Sequence, residues 1–305
     1  MTVSTPPLST KIIDGKFYAQ QLLDLVASQI RELGQKEKVT PGLAMVLVGD
    51  DPASILYVGM KTQKAQKIGI KSKDFRLPAT TSLNQLLRLI GQLNADPAIH
   101  GILIQLPLPS HLPVRTVIDH IDPAKDVDGL HSINAGHLAN GQPSIIPCTP
   151  AGCLYLLQQI FPKGLEGKKA VVIGRSALVG RPMAWLLLQQ NCTVTMAHRH
   201  TVDLAGQCRQ ADIIVAAAGH AQLVRGDWVK NGAVVIDVGI NKIDDPTGQK
   251  GYSLQGDVAF LEVLPNAKAI TPVPGGVGPM TVAFLLHNTL KLCYQRLNRP
   301  YASLL

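Results

Sequence analysis

Strand-length apolar runs alternate with helical patterns along most of this chain, and that alternation constrains its fold more than any other feature. Leu43–Gly49, Gly101–Leu106, Ala170–Gly174, Cys192–Ala197, Asp212–Ala218 and Ala233–Val238 are near-continuous apolar runs without strict polar alternation. Strands covered on both faces of a parallel sheet read this way. Between them, Phe17–Leu33 carries Leu22, Val26, Ile30 and Leu33 at helix spacing. Leu83–Leu93 repeats Leu83, Leu86, Leu87, Ile90 and Leu93. The order implies an α/β fold with open parallel sheets and right-handed crossovers.

A length of 305 residues suits two domains, each able to bury a core. A break is expected near Pro147–Pro150. Before it, Gly136–Gln142 has a loop composition; after it, Gly152–Phe161 reads as a helix leading to a fresh strand at Ala170. The last helical pattern, Thr281–Leu292, follows the Pro/Gly segment Pro272–Pro279 and is expected to pack back on the first domain. The expected division is 1–147 with the C-terminal helix 280–305, and 148–279.

Composition removes several classes. Apolar residues make up 46% and charged residues 16%, the reverse of a disordered chain. No apolar run approaches the ~18–20 residues of a membrane span. Met1–Thr10 is polar and Pro-rich without an apolar stretch, which reads as a frayed tail and not a secretory signal. The net charge of +8 suits an anionic partner. The basic residues are dispersed and aromatic residues are only 4%, too few for a base-stacking surface, so a small polyanion is expected and no nucleic acid. The five cysteines are odd in number and form no C-x-x-C, against a disulfide framework or a thiolate zinc site and in keeping with a reducing cytosol. His198 and His200 flank Arg199 without an acidic partner at ligand spacing, so no metal is expected.

Four segments carry candidate chemistry. The strand ending at Ile173 runs into Gly174, Arg175, Ser176, Val179, Gly180 and Arg181-Pro182, then a helix from about Met183. Strand, glycine turn and helix suit an anion at a helix N-terminus. The spacing G-x-S-x-x-x-G departs from G-x-G-x-x-G, so a plain tight turn is equally compatible with the motif alone. At the end of the next strand, where a 2′-hydroxyl reader would be Asp or Glu, stands Arg199. A guanidinium there suits a 2′-phosphate and favours NADP over NAD. Asp51-Pro52 should open a helix on which Tyr57 and Lys61 share a face. Gln105 ends an apolar strand, where ligands of open sheets bind. Asp128, in Lys125-Asp126-Val127-Asp128-Gly129, could pair with an amino-pyrimidine ring or form an Asx-turn. The Pro272–Pro279 segment allows close backbone approach to a flat ligand.

Taken together, these segments resemble the bifunctional methylenetetrahydrofolate dehydrogenase/methenyltetrahydrofolate cyclohydrolase family over nearly the whole chain. The matching stretches are Asp51–Ser54 through Tyr57–Lys61, Gly101–Pro109, Lys125–Gly129, Pro147–Pro150, Gly174–Ser176 with Val179–Pro182, and Ile270–Thr281. The resemblance implies an α/β catalytic domain and a Rossmann-like NADP domain, with the folate site in the cleft between them. It implies NADP-dependent oxidation of 5,10-methylenetetrahydrofolate, then hydrolysis of the methenyl product to 10-formyltetrahydrofolate. By position, Lys61 is the catalytic lysine, Tyr57 stacks on the substrate and holds the lysine, Gln105 tunes it, and Asp128 anchors the pterin. Ile104, Leu106 and Pro274, Gly275, Gly276, Val277, Gly278 and Pro279 would line the substrate. Gly174, Arg175, Ser176, Val179, Gly180 and Arg199 would hold the cofactor, with Ile240 on its adenosine side. Many members have Ser where Arg199 stands; both suit NADP. The resemblance also implies a homodimer through the cofactor domain; the cysteines suggest a cytoplasmic location, and the lack of a long apolar run suggests no membrane partner. The alternatives are a monofunctional dehydrogenase and a nucleotide-binding module without chemistry.

Overall fold

The computed structural model describes residues 12–244, 251–301 and 304–305. The expected tail, Met1–Thr10, lies outside them. The elements of the first half are α1 (Gly15–Glu37), β1 (Gly42–Val48), α2 (Pro52–Lys67), β2 (Lys71–Leu77), α3 (Leu83–Ala95), β3 (Gly101–Ile104), α4 (Val114–Ile118), α5 (Ser132–Ala139) and α6 (Cys148–Ile160). There follow β4 (Lys169–Ile173), α7 (Gly180–Gln189), β5 (Thr193–Ala197), α8 (Leu204–Arg209), β6 (Ile213–Ala216) and β7 (Val234–Asp237). The chain continues with β8 (Asn241–Asp244), β9 (Tyr252–Gln255), α9 (Phe260–Val263), β10 (Ala269–Ile270) and α10 (Val277–Arg296). Two compact units result. The first comprises Gln20–Cys148 and Val282–Leu304; the second comprises the chain up to Ala19, Thr149–Thr281 and Leu305.

The first unit holds a parallel sheet of order β2-β1-β3. All seven residues of β1 are buried, because its neighbours and the layers over both faces leave no solvent side. Ala44, Val46, Ile102 and Ile104 share a core with Leu86, Ile90 and Leu93 of α3, at roughly 1.5–3 kcal/mol per large side chain. A bridge between Ile102 and Asp126 extends the sheet beyond β3, and the Ile102 N–H donates to the Lys125 carbonyl at 2.7 Å. The sequence reading did not include β2. Its residues KSKDFRL are mostly polar, as on an edge strand, and Phe75 and Leu77 alone pack on the core. Asp51 caps α2 as expected: its carboxylate accepts the Ser54 N–H at 2.8 Å, and Pro52 opens the helix.

Gly136–Gln142 corrects the reading of a loop. Gly136–Ala139 complete α5, started by His131, whose Nδ1 accepts the Ile133 N–H at 3.0 Å. Leu138 is buried, and that burial outweighs a composition poor in helix formers.

The second unit holds a five-stranded parallel sheet of order β10-β7-β6-β4-β5. Counted from β4, this is the doubly wound order 2-1-3-4-5, which reverses direction between β4 and β6. Beyond it β8 and β9 form an antiparallel hairpin. The helix α10 begins at Val277, before the expected Thr281, so Gly278 and Pro279 lie in its first turn. Proline is tolerated there because its missing N–H would have no helical partner. Strands end slightly earlier than the apolar runs suggest. Gln105 and Ala217–His220 therefore lie just past the carboxyl ends of β3 and β6. Among the described residues no helix is long and apolar enough to cross a membrane.

Candidate active site

In the first unit, α2 leaves the carboxyl end of β1 and Gln105 follows the end of β3. Lys61 is half-buried, and its Nζ donates to Gln105 Oε1 at 2.9 Å. The Gln105 Nε2 donates to the Leu106 carbonyl at 2.7 Å, so the amide oxygen is committed to the lysine. Capping a strand-end carbonyl and orienting an amine are thus done by one side chain. Tyr57 lies one turn before Lys61, 40% exposed, beside Leu56 at 72% and Met60 at 40%. This helix surface is unusually apolar for one facing solvent, and a flat heteroaromatic ring would cover it.

Asp128 lies close enough to Lys61 for their charges to interact. Burial pushes its carboxyl above the usual carboxylate range; the neighbouring Asp126 adds to this, while Lys61 and the Cys148 thiol oppose it. Burial and Asp128 together keep Cys148 a thiol, its Sγ 3.4 Å from the Val127 carbonyl. Backbone geometry fixes this corner. Gly129 has φ +66°, and a Cβ on it would lie 2.6 Å from the Ile145 carbonyl. Asn288 donates to Val127 and Ile146 carbonyls at 2.9 and 3.0 Å. Two neighbours in the same motif are structural. The buried Asp126 accepts the His131 N–H and the Asn134 amide, both at 2.9 Å. Lys125 donates to the Leu93 and Asp96 carbonyls at 2.9 and 2.8 Å, closing the C-terminal end of α3.

In the second unit, the turn after β4 sits at the point where strand order reverses. Gly174 has φ +125°, and a Cβ there would lie 2.1 Å from the Ala217 carbonyl. A Cβ on Gly180 would come within 2.1 Å of the Gly174 carbonyl. Ser176 explains how the irregular spacing works. Its Oγ accepts the N–H groups of Val179 and Gly180 at 3.1 and 3.4 Å, and its own O–H remains to be donated. The hydroxyl thus sits between the positive end of α7 and any anion in the turn. Arg175 and Arg199 are exposed at the ends of β4 and β5, and Arg199 Nε donates to His200 Nε2 at 3.1 Å. Ile240, past the end of β7, is exposed. A backbone cradle that side chains would fill, with two guanidinium groups at its rim, fits a phosphorylated dinucleotide. Gly275 (φ +107°) and Gly276 lie in this unit too, where a Cβ on Gly15 would meet the Gly276 carbonyl at 1.7 Å.

The chain's likeness to known proteins extends over both units. The model of the tetrahydrofolate dehydrogenase/cyclohydrolase catalytic domain matches residues 13–128, and that of the NAD(P)-binding domain of the same family matches 147–297. The chain belongs to this family. It is 55% identical over 287 residues to the bifunctional protein FolD of Phenylobacterium zucineum, covering 93% of this chain and 96% of that one. Among solved structures, the bifunctional methylenetetrahydrofolate dehydrogenase/cyclohydrolase of Campylobacter jejuni superposes with a TM-score of 0.89 at 44% identity, covering 93% of this chain and 99% of that one. The Trypanosoma brucei methylenetetrahydrofolate dehydrogenase-cyclohydrolase, complexed with NADP and an inhibitor, gives 0.89 at 38%, covering 95% and 98%. Cys148 falls in the matching stretch Pro147–Pro150 but had no role assigned from the sequence, and Asn288 was not singled out at all. Their signal is contact with Asp128 and Val127 across 20 and 161 residues, which a linear pattern does not carry.

Proposed function

We propose that this chain oxidises 5,10-methylenetetrahydrofolate with NADP and hydrolyses the resulting methenyl cation to 10-formyltetrahydrofolate, in one-carbon metabolism. The observation that carries the reading is the Lys61–Gln105 bond at 2.9 Å with Asp128 beside the same amine. Asp128 holds the amino-pyrimidine edge of the pterin, and Tyr57, with its apolar neighbours, covers the ring face. Ile104 and Leu106 flank Gln105, and Pro274–Pro279 supply backbone to the flat ligand. Hydride transfer needs its two carbons held close and aligned, so this step is mostly positioning. NADP, when bound, would supply the hydride acceptor; Ser176 and Arg175 would hold its phosphates, Arg199 its 2′-phosphate, Gly174, Val179 and Gly180 its backbone cradle, and Ile240 its adenosine. In the second step water adds to the methenyl carbon and sheds a proton to the Lys61 amine. The bond from that carbon to N5 then breaks as the new hydroxyl gives up its proton to become the formyl oxygen, N5 takes up a proton, and the formyl group stays on N10. Gln105 keeps the amine aimed at the water.

We also read residues 1–147 with 280–305 as the catalytic domain and 148–279 as the NADP domain of a cytoplasmic homodimer that binds neither nucleic acid nor membrane. The five described cysteines, all buried and free, suit a reducing compartment.

A paired absorbance assay tests the function. Purified protein with methylenetetrahydrofolate and NADP⁺ should yield reduced cofactor and then consume added methenyl substrate faster than buffer does. Reduced cofactor without accelerated hydrolysis would leave a monofunctional dehydrogenase. Cofactor binding with neither reaction would leave a binding module.

A further inference from the structure

Asp257 is completely buried in the second unit, and the reactions above give it no role. Its carboxylate collects backbone donors from one loop. Oδ2 accepts the N–H groups of Ala218 and Gly219 at 2.6 and 2.9 Å, and Oδ1 accepts that of His220 at 3.0 Å. Asn241 Nδ2 completes the shell at 2.8 Å. Asp257 is itself fixed: Asp237 at the end of β7 accepts its backbone N–H at 2.9 Å and that of Val258 at 3.0 Å.

The loop held in this way lies at the strand-order switch. It follows β6, its Ala217 N–H donates to the Ile173 carbonyl at 2.8 Å, and Gly174 packs on the Ala217 carbonyl. Ala218, Gly219 and His220 are exposed. Three successive donors are spent on Asp257, and among the described residues the carbonyls of Ala217–His220 accept no hydrogen bond.

We propose that Asp257 is a positioning residue for the cofactor, holding the 218–220 loop so that it offers acceptors to the hydroxyl and amide donors of the dinucleotide and nothing to its phosphates. The two walls of the switch point then divide the ligand. The Gly174–Gly180 turn and the arginines take the anionic part; the 218–220 loop takes the neutral, donor-bearing part. This rests on reading the switch point as the NADP site.

Asp257→Asn tests it, because the volume is kept while one acceptor becomes an NH₂ aimed at backbone N–H groups. The measurements on the full chain are the NADP⁺ KM, kcat at saturating NADP⁺, and cofactor-free hydrolysis of methenyltetrahydrofolate. The expected result is a KM raised at least about tenfold, with kcat and hydrolysis within about threefold of the parent. An unchanged KM in the folded variant, or hydrolysis falling in step with the dehydrogenase, would overturn the proposal. Should Asp257→Asn not fold, Gly219→Ala decides. Its φ is +67° and nothing lies within 4 Å of the added Cβ, so the change strains the loop alone. The KM should rise about threefold or more, and an unchanged KM overturns the proposal. Arg199→Ala separates the two readings: if it leaves the NADP⁺ KM untouched while Asp257→Asn raises it, the phosphate assignment fails and the loop assignment stands.

Discussion

Lys61 and Gln105 stand 44 residues apart and meet through one hydrogen bond of 2.9 Å between Nζ and Oε1. A helix delivers the amine and the end of a strand delivers the amide. Both are rigid elements, and the glutamine is itself held by the Leu106 carbonyl. A long lysine side chain loses much rotamer freedom when aimed, and this pairing makes that loss part of folding and not of each turnover.

Lys61→Met should abolish methenyl hydrolysis while folate binding persists, since shape is nearly kept and the proton acceptor is gone. General-base loss is worth about 10²–10⁴-fold in rate. Stopped-flow absorbance of methenyltetrahydrofolate checks this, and near-parental hydrolysis would exclude the role.

Gln105→Leu should leave Lys61 present but unaimed. Hydrolysis should fall about tenfold or more while folding stability drops by only ~1 kcal/mol, because the site is half-buried and a hydrogen bond contributes no more than that. A parental rate would show that the amine is aligned without the amide.

Arg199→Ala should raise the KM for NADP⁺ much more than that for NAD⁺, since only the former has the 2′-phosphate. Steady-state kinetics with both cofactors at one ionic strength are the measurement. Equal effects would remove the 2′-phosphate assignment.

Gly129→Ala should destabilise the first unit. A positive φ on a non-glycine residue costs roughly 1–3 kcal/mol, and the added Cβ would also press on the Ile145 carbonyl at 2.6 Å. Denaturant melts should show the loss, with a raised folate KM because Asp128 is the preceding residue.

His287 should make the protein acid-sensitive. It is buried on α10 between the rings of Phe284 and Tyr301, and burial lowers its pKa from 6.5 to about 4. The unfolded chain takes up this proton below about 6.5, whereas the folded chain does so only near 4. Stability is therefore complete above pH 6.5 and lost as pH falls toward 4, by up to ~3 kcal/mol from this group. Denaturant midpoints from pH 7 to 4.5 should fall less steeply in His287→Leu than in the parent; parallel slopes would exclude His287 as the cause.

Much of the sheet was readable because β1, β3, β4, β6 and β7 are buried at nearly every position and so are mostly apolar; these strands coincide with the expected runs to within a residue or two, and the edge strand β5, half-exposed, was still apolar enough to be found. The strands that escaped have other surroundings. β2 is an edge and keeps Lys71, Lys73, Asp74 and Arg76; β8 and β9 form an exposed hairpin; β10 is two residues long. Candidate site residues were readable where chemistry depends on residue type at a strand end or helix face, as for Lys61, Gln105 and Arg199. Asp257 was not, because a buried carboxylate that serves backbone N–H groups looks like any other aspartate in the chain.

By itself, the order of residues determined the α/β class, the doubly wound alternation, the cap at Asp51 and the glycine turn after β4. Each depends on local propensity or on the period of burial, which neighbours in sequence express. Only the tertiary structure decided that Lys61 Nζ meets the Gln105 amide oxygen directly, that Ser176 takes up the first N–H groups of α7, that Lys125 closes α3, and that Asp257 holds a loop 37 residues away. Hydrogen bonds of this kind require two directions in space to coincide, and chain separation carries no information about direction until the sheets are assembled.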